Sequence, residues 1–101
     1  MKFSRINVLE ARLLLETSGG ERAQIVGIRD DLAYHDDHIE SAVNVNNNNL
    51  QDFIDNADVE ALVLIYCYHG NLSQGAAGYL AERGFKHAYS LDGGYEAWKN
   101  T

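Results

Sequence analysis

Residues 61–83 read ALVLIYCYHGNLSQGAAGYLAER, and this stretch decides the fold. An apolar run ends at Cys67, the only cysteine of the chain, and a short polar loop leads into a helical pattern from Gln74. The pattern predicts a buried strand that carries a thiol to a loop at the start of a helix. The free N–H groups and the positive dipole end of such a helix bind anions and stabilise a thiolate. The stretch therefore predicts nucleophilic sulfur chemistry at Cys67.

Strand-like and helix-like segments alternate along the rest of the chain. Asn7 and Glu10 form a capping-box pattern that starts the first helix, and residues 18–20 end it. The apolar face of that helix is expected to hold Val8, Leu9, Ala11, Leu13, Leu14 and Leu15. We expect strands at 3–6, 23–28, 42–45, 62–66 and 87–91, and further helices at 30–34, 50–54, 73–83 and 95–100. This alternation predicts an α/β fold with a mainly parallel sheet, in which ligands bind at the carboxyl ends of the strands.

The composition indicates an acidic protein of one domain, 1–101. No apolar run approaches the roughly 18 residues of a membrane helix. A formal net charge of −7 argues against nucleic-acid and anionic-membrane partners. A single cysteine forms no internal disulfide and the N-terminus lacks an apolar signal segment, so we expect a cytoplasmic protein. The absence of proline and the asparagine run at 46–49 leave open whether the chain is natural or engineered.

Three motifs at fixed distances carry a family resemblance. They are Cys67-Tyr68-His69-Gly70-Asn71, then Gly84-Phe85, and finally Asp92-Gly93-Gly94-Tyr95-Glu96-Ala97-Trp98. Over about 25–98 the chain resembles the rhodanese (thiosulfate sulfurtransferase) family, most closely its small single-domain bacterial members of the GlpE type. The resemblance implies a five-stranded, mainly parallel sheet flanked by helices.

The resemblance also implies a reaction. Cys67 takes the outer sulfur of thiosulfate, becomes a persulfide, and passes that sulfur to cyanide or to a dithiol, including a thioredoxin-like dithiol protein. Arg29 is implied as a supporting residue. We expect no cofactor, and no metal either, because the four histidines lack the spacing of metal ligands. The implied substrate-binding loop, whose backbone N–H groups hold the persulfide, consists of Tyr68, His69, Gly70, Asn71, Leu72 and Ser73.

The chain departs from the family pattern at three places. Gly27 stands where the family usually carries an acid, and the segment 37–44 lacks both glycines of the matching family motif. Leu72 takes the place of a small polar residue, which makes the pocket mouth more apolar and is expected to weaken thiosulfate binding. These departures bear on local turns and on the loop, whereas the thiol is retained.

The roles of several side chains stay open at this point. His69 is either a proton-bearing group beside the sulfur or a solvent-facing loop residue. Arg29 either pins the loop region through a salt bridge, the favoured interpretation, or contacts substrate. Trp98 is expected to pack the last helix on the sheet. His38 is expected to be structural, and His35 and His87 are expected to lie on the surface.

Three other functions compete with sulfur transfer from thiosulfate. A persulfide carrier would use the same cysteine with protein donors and acceptors, and the apolar Leu72 favours it. A tyrosine or dual-specificity phosphatase needs a phosphate-gripping arginine at the place of Ser73, which argues against that enzyme class. A rhodanese-fold scaffold with an idle, buried cysteine is favoured by the departures from the family motifs and by the missing prolines.

Overall fold

Five parallel strands form one sheet in the computed structural model, which describes residues 3–19, 23–28, 39, 42–46 and 48–100. The strands are β1 Ser4–Ile6, β2 Gln24–Gly27, β3 Val43–Asn44, β4 Val63–Tyr66 and β5 Ala88–Leu91. Their spatial order is β1-β5-β4-β2-β3, and each described pair is parallel. The predicted α/β fold with a five-stranded parallel sheet is therefore confirmed, and β4 lies at its centre.

Among the described residues, a helix follows each of β1, β3, β4 and β5. These helices are α1 Val8–Leu14, α2 Leu50–Asn56, α3 Leu72–Glu82 and α4 Gly94–Lys99. A π-helical segment, Leu15–Gly19, continues α1. None of the helices that the structure describes is long and apolar enough to cross a membrane.

The helix boundaries agree closely with those expected from the sequence. The capping box is confirmed, since Asn7 Oδ1 accepts the Glu10 N–H at 2.8 Å and Glu10 Oε1 accepts the Asn7 N–H at 3.0 Å. The helices α3 and α4 each begin one residue earlier than expected, and α2 runs two residues further. The helix expected at 30–34 lies outside the described residues.

Two hydrophobic clusters pack against the sheet, and β4 contributes to both. Leu64 and Tyr66 belong to the cluster covered by α1 and α4, whereas Val63 and Ile65 belong to the cluster covered by α2 and α3. This division follows from the strand itself, because successive side chains of a strand point to opposite faces of the sheet. Each residue of β4 is at most 1% exposed. Cys67 therefore directly follows a strand that is fully buried in the middle of the core.

The expected apolar face of α1 is wrong at two positions. Leu9 and Leu13 are 74% and 60% exposed. Val8 and Ala11 are buried, and Leu15 packs against the same cluster. Residues three or four apart share one face of a helix, and the face toward the sheet holds this second set. Leu9 and Leu13 lie further round the helix, on its exposed side. The six apolar residues predicted for one face therefore do not all contact the core.

Gly27, where the family usually carries an acid, lies under the ring of Tyr66. A Cβ atom at Gly27 would approach the Tyr66 hydroxyl oxygen to 2.8 Å. The same hydroxyl accepts the backbone N–H of Ile39 at 3.3 Å. Tyr66 thus fills the space of the absent side chain and holds the start of the segment that leads to β3. The two lost glycines of the family motif, at positions 37 and 41, lie outside the described residues.

Candidate active site

Cys67 follows β4 directly, at the carboxyl edge of the sheet. Its Sγ accepts the backbone N–H of Gly70 at 3.1 Å and that of Ser73 at 3.4 Å. The Ser73 hydroxyl oxygen lies 3.6 Å from the same sulfur. Cys67 is only 3% exposed, as an idle core cysteine would also be. An idle thiol does not require this convergence of polar hydrogens, whereas an anionic sulfur does.

Among the described residues, hydrogen bonds rather than a charged neighbour set the ionisation of this sulfur. Burial raises the pKa of the Cys67 thiol, because a buried thiolate loses its hydration. The Ser73 hydroxyl and the backbone N–H groups of Ser73, Gly70 and Leu72 act in the opposite direction. Together they prevail, and the pKa of Cys67 lies below that of an ordinary cysteine. The backbone donors expected from the loop and the start of α3 are thus in place.

The start of α4 holds the active loop from behind. The N–H of Tyr95 donates to the Cys67 carbonyl at 2.8 Å, and the N–H of Glu96 donates to the Tyr68 carbonyl at 3.1 Å. Gly94 has a φ of 61°, a left-handed conformation that favours glycine. A Cβ atom at Gly94 would overlap the carbonyl oxygens of both Cys67 and Tyr68. Glycine at Gly94 is therefore required by the close approach of this turn to the backbone of the loop.

Gly70, in the cysteine loop, also packs closely against the turn before α4. Its φ is 92°, and a Cβ atom there would lie 2.9 Å from the Gly93 backbone nitrogen. The Gln74 side chain of α3 donates to the Gly70 carbonyl at 2.9 Å. The loop is thus fixed by α3 on one side and by the turn before α4 on the other, which holds the Gly70 N–H on the sulfur.

The remaining loop side chains form an exposed rim. His69 Nδ1 lies 2.8 Å from Glu96 Oε2, and Lys99 Nζ donates to the Tyr68 hydroxyl at 3.3 Å. Leu72 is 70% exposed, and Asn71 is exposed as well. None of these described rim side chains is hydrogen-bonded to Cys67, whereas Gly70 and Ser73 are. The geometry therefore favours the solvent-facing interpretation of His69 over a proton-bearing role beside the sulfur.

Other candidate residues lie away from the sulfur or outside the described ranges. Trp98 packs against the hydrophobic cluster as expected, with the Arg12 guanidinium 4.0 Å above its ring. Arg29 and His38 fall outside the described residues, so their roles stay predictions. Within the described residues, no group of three or more histidine, cysteine or acidic side chains is placed to hold a metal ion.

Sequence reasoning missed one residue of the site, Ser90. Its hydroxyl lies 2.8 Å from that of Ser73, and both residues are fully buried. A serine inside the apolar strand β5 was the available signal, because a buried hydroxyl needs a hydrogen-bond partner.

Comparison with known proteins identifies the family. The sequence model of the Rhodanese-like domain matches residues 10–101. The chain belongs to the rhodanese family. The family predicted from the three motifs is therefore confirmed, and the strand, cysteine loop and helix described above are this rhodanese's candidate active site.

Curated relatives and solved structures agree with this membership. The rhodanese is 47% identical over 100 residues to the thiosulfate sulfurtransferase GlpE of Pseudomonas entomophila, which covers 99% of this chain and 88% of that protein. It is 46% identical to the GlpE of Shewanella oneidensis, over 89% of each chain. A crystal structure of a rhodanese-like domain protein from Staphylococcus aureus superposes with a TM-score of 0.80 at 25% identity, covering 95% of this chain and 91% of that one.

Proposed function

We propose that this rhodanese is a thiosulfate sulfurtransferase that carries sulfur as a persulfide on Cys67. The enclosure of Cys67 Sγ by the N–H groups of Gly70 and Ser73 is the observation that carries the proposal. Relatives at 46–47% identity bear the name thiosulfate sulfurtransferase, which supports the same substrate. The reaction is the transfer of a sulfane sulfur to a thiophilic acceptor.

The first half-reaction makes the persulfide. The Cys67 thiolate attacks the outer sulfur of thiosulfate, the S–S bond of thiosulfate breaks, and sulfite leaves with the bonding electron pair. The backbone N–H groups of Gly70, Leu72 and Ser73 bind the negative charge near the sulfur, as an oxyanion hole binds an oxyanion. These donors are fixed before the reaction, so little reorganisation is needed when charge moves.

The second half-reaction releases the sulfur. Cyanide, or the thiolate of a dithiol, attacks the outer sulfur of the persulfide, and the Cys67 thiolate leaves. The product is thiocyanate or a new persulfide on the acceptor. In a dithiol, the second thiol then attacks the inner sulfur of that persulfide, which forms a disulfide and releases the outer sulfur as hydrogen sulfide. A thioredoxin-like dithiol protein is the proposed protein acceptor, and the reducing cytoplasm is the proposed compartment, since it keeps a lone thiol reduced.

Intact-protein mass spectrometry tests the persulfide directly. After incubation with thiosulfate, we expect a mass gain of one sulfur atom, which a thiol reductant removes. Cys67 is the only cysteine, so the position of the adduct is unambiguous. An unchanged mass would favour the idle-cysteine alternative. A gain from a persulfidated protein donor, but not from thiosulfate, would favour the carrier alternative.

The exposed Leu72 favours the carrier as the second candidate function. Its apolar side chain stands at the mouth of an anion site and is 70% exposed. An apolar group there suits a protein surface better than a doubly charged small anion. Thiosulfate and a persulfidated protein would both deliver sulfur to Cys67. The two functions therefore differ only in which sulfur donor the rim recognises.

Leu72→Ser is expected to lower the KM for thiosulfate about 2–10-fold, the value of one additional hydrogen bond. The change removes apolar surface and adds a hydroxyl at the rim. Steady-state thiocyanate formation measures the effect. Leu9→Ser is the matched control, because Leu9 is equally exposed, at 74%, and lies on α1. An unchanged KM in Leu72→Ser would mean that the rim does not govern the choice of donor.

A further inference from the structure

A buried pair of hydroxyl groups lies behind the sulfur. Ser73 Oγ and Ser90 Oγ are 2.8 Å apart, and both residues are 0% exposed. Ser90 lies on β5, where its register partner on β4 is Ile65. It therefore reaches Ser73 from the neighbouring strand, across the core. A buried hydroxyl is costly unless it is hydrogen-bonded, so its partners indicate what it does.

The two hydroxyl groups carry one more hydrogen than the hydrogen bond between them requires. Two hydroxyls carry two hydrogens, and one of them forms the bond between Ser73 and Ser90. Among the described residues, the chain of hydrogen bonds continues only to Cys67 Sγ, 3.6 Å from Ser73 Oγ. With an ionised sulfur, Ser90 donates to Ser73 and Ser73 donates to the thiolate. Both hydrogens then have acceptors.

Protonation of the sulfur reverses this chain. The thiol of Cys67 then donates to Ser73, and Ser73 donates to Ser90. The Ser90 hydrogen is left without an acceptor among the residues that the structure describes. An unpaired buried hydroxyl costs free energy, so the pair favours the thiolate over the thiol.

We propose that Ser90 is a positioning residue, whose hydroxyl fixes Ser73 as a hydrogen-bond donor to the Cys67 thiolate. Ser90 lies behind Ser73 and acts only through it. Its relevance to catalysis rests on the proposed sulfur transfer. Its effect on the ionisation of Cys67 does not depend on that reaction.

The charged side chains that the structure describes near the site lie outside this chain of hydrogen bonds. On the rim, His69 pairs with Glu96 and Lys99 contacts the Tyr68 hydroxyl. Beyond β5, Asp92 pairs with Arg5. The tyrosines on the elements around the pair are Tyr66, Tyr79, Tyr89 and Tyr95. A substitution at Ser90 leaves all of these groups in place, so a change in the ionisation of Cys67 reports on the serine pair.

The pH midpoint of Cys67 ionisation tests the proposal. It is read from the rate of iodoacetamide alkylation and, independently of access, from the ultraviolet absorbance of the thiolate. We expect Ser90→Ala to raise the midpoint by about half a pH unit, equal to about threefold less thiolate below the midpoint, because a polarising hydrogen bond is lost. Ser73→Ala removes the direct donor and is expected to lower the thiolate population about tenfold.

A double-mutant cycle separates positioning from a general structural effect. In the Ser73→Ala background, Ser90→Ala should leave the midpoint unchanged, because the connection to the sulfur is already gone. Ser90→Thr keeps the hydroxyl and should keep the wild-type midpoint, even where its extra methyl group lowers stability.

An unchanged midpoint in Ser90→Ala, or an equal rise in both backgrounds, overturns the proposal. Should Ser90→Ala alone not fold, Ser73→Ala is compared with the double variant. A higher midpoint of Cys67 ionisation in the double variant overturns the proposal. An equal midpoint supports it. These titrations need no sulfur donor. A protein that fails to transfer sulfur therefore still reports on Ser90.

Discussion

Cys67→Ser is expected to abolish sulfur transfer from thiosulfate while the chain stays folded. The serine hydroxyl fits the same space, and the N–H groups of Gly70 and Ser73 keep an acceptor. A hydroxyl does not ionise near neutral pH and forms no persulfide, so the reaction lacks its nucleophile. Loss of a nucleophile lowers kcat by up to about 10⁶-fold in other enzymes, and activity should fall to background. Thiocyanate formation from thiosulfate and cyanide is the measurement.

Thermal unfolding of Cys67→Ser provides the control for this experiment. We expect its stability to lie within about 1 kcal/mol of the parent chain, since the change is close to isosteric. Leu9→Ser, purified in parallel, should retain full activity because Leu9 is exposed on α1. Undiminished thiocyanate formation by Cys67→Ser would contradict the persulfide mechanism.

Gly94→Ala is expected to lower both stability and activity. The left-handed φ of 61° disfavours alanine by about 1–2 kcal/mol, and the overlap with the carbonyls of Cys67 and Tyr68 adds about 1–3 kcal/mol. Relief of that overlap moves the loop away from α4. A shift of about 1 Å in an active site lowers rates by about 10²-fold, and we expect kcat/KM to fall by that order. Chemical denaturation and the thiocyanate assay measure the two effects.

Gly84→Ala is the matched control for Gly94. Gly84 also has a positive φ, 104°, but a Cβ atom there meets no other atom within 4 Å. The substitution should lower stability by about 1–3 kcal/mol through backbone strain and leave kcat/KM unchanged. Equal losses of activity in both variants would show that the contact between the loop and α4 does not govern the site.

The central part of the fold was predictable because its signals are local. The apolar run before Cys67 indicates a buried strand, and the structure places this strand in the middle of the sheet. Asn7 and Glu10 are three residues apart, so their capping box depends on no distant contact. The carboxyl ends of parallel strands meet at one edge, which placed the thiol at that edge from sequence alone.

The missed features depend on contacts between distant segments. Ser90 meets Ser73 only because β5 pairs with β4, a register that no local pattern encodes. The need for glycine at Gly94 arises from carbonyls that precede it by a whole helix and strand. The exposure of Leu9 depends on which face of α1 the sheet covers. Residue type and spacing alone do not contain this information.

The hydrogen bonds between the cysteine loop and α4 also bear on synthesis of the protein. The carbonyls of Cys67 and Tyr68 are held by N–H groups of Tyr95 and Glu96, which the ribosome adds much later. A growing chain that has not reached these residues contains Cys67 but lacks the N–H groups that hold its loop from the side of α4. The loop around the thiol is therefore held on both sides only once the chain has been synthesised through Glu96.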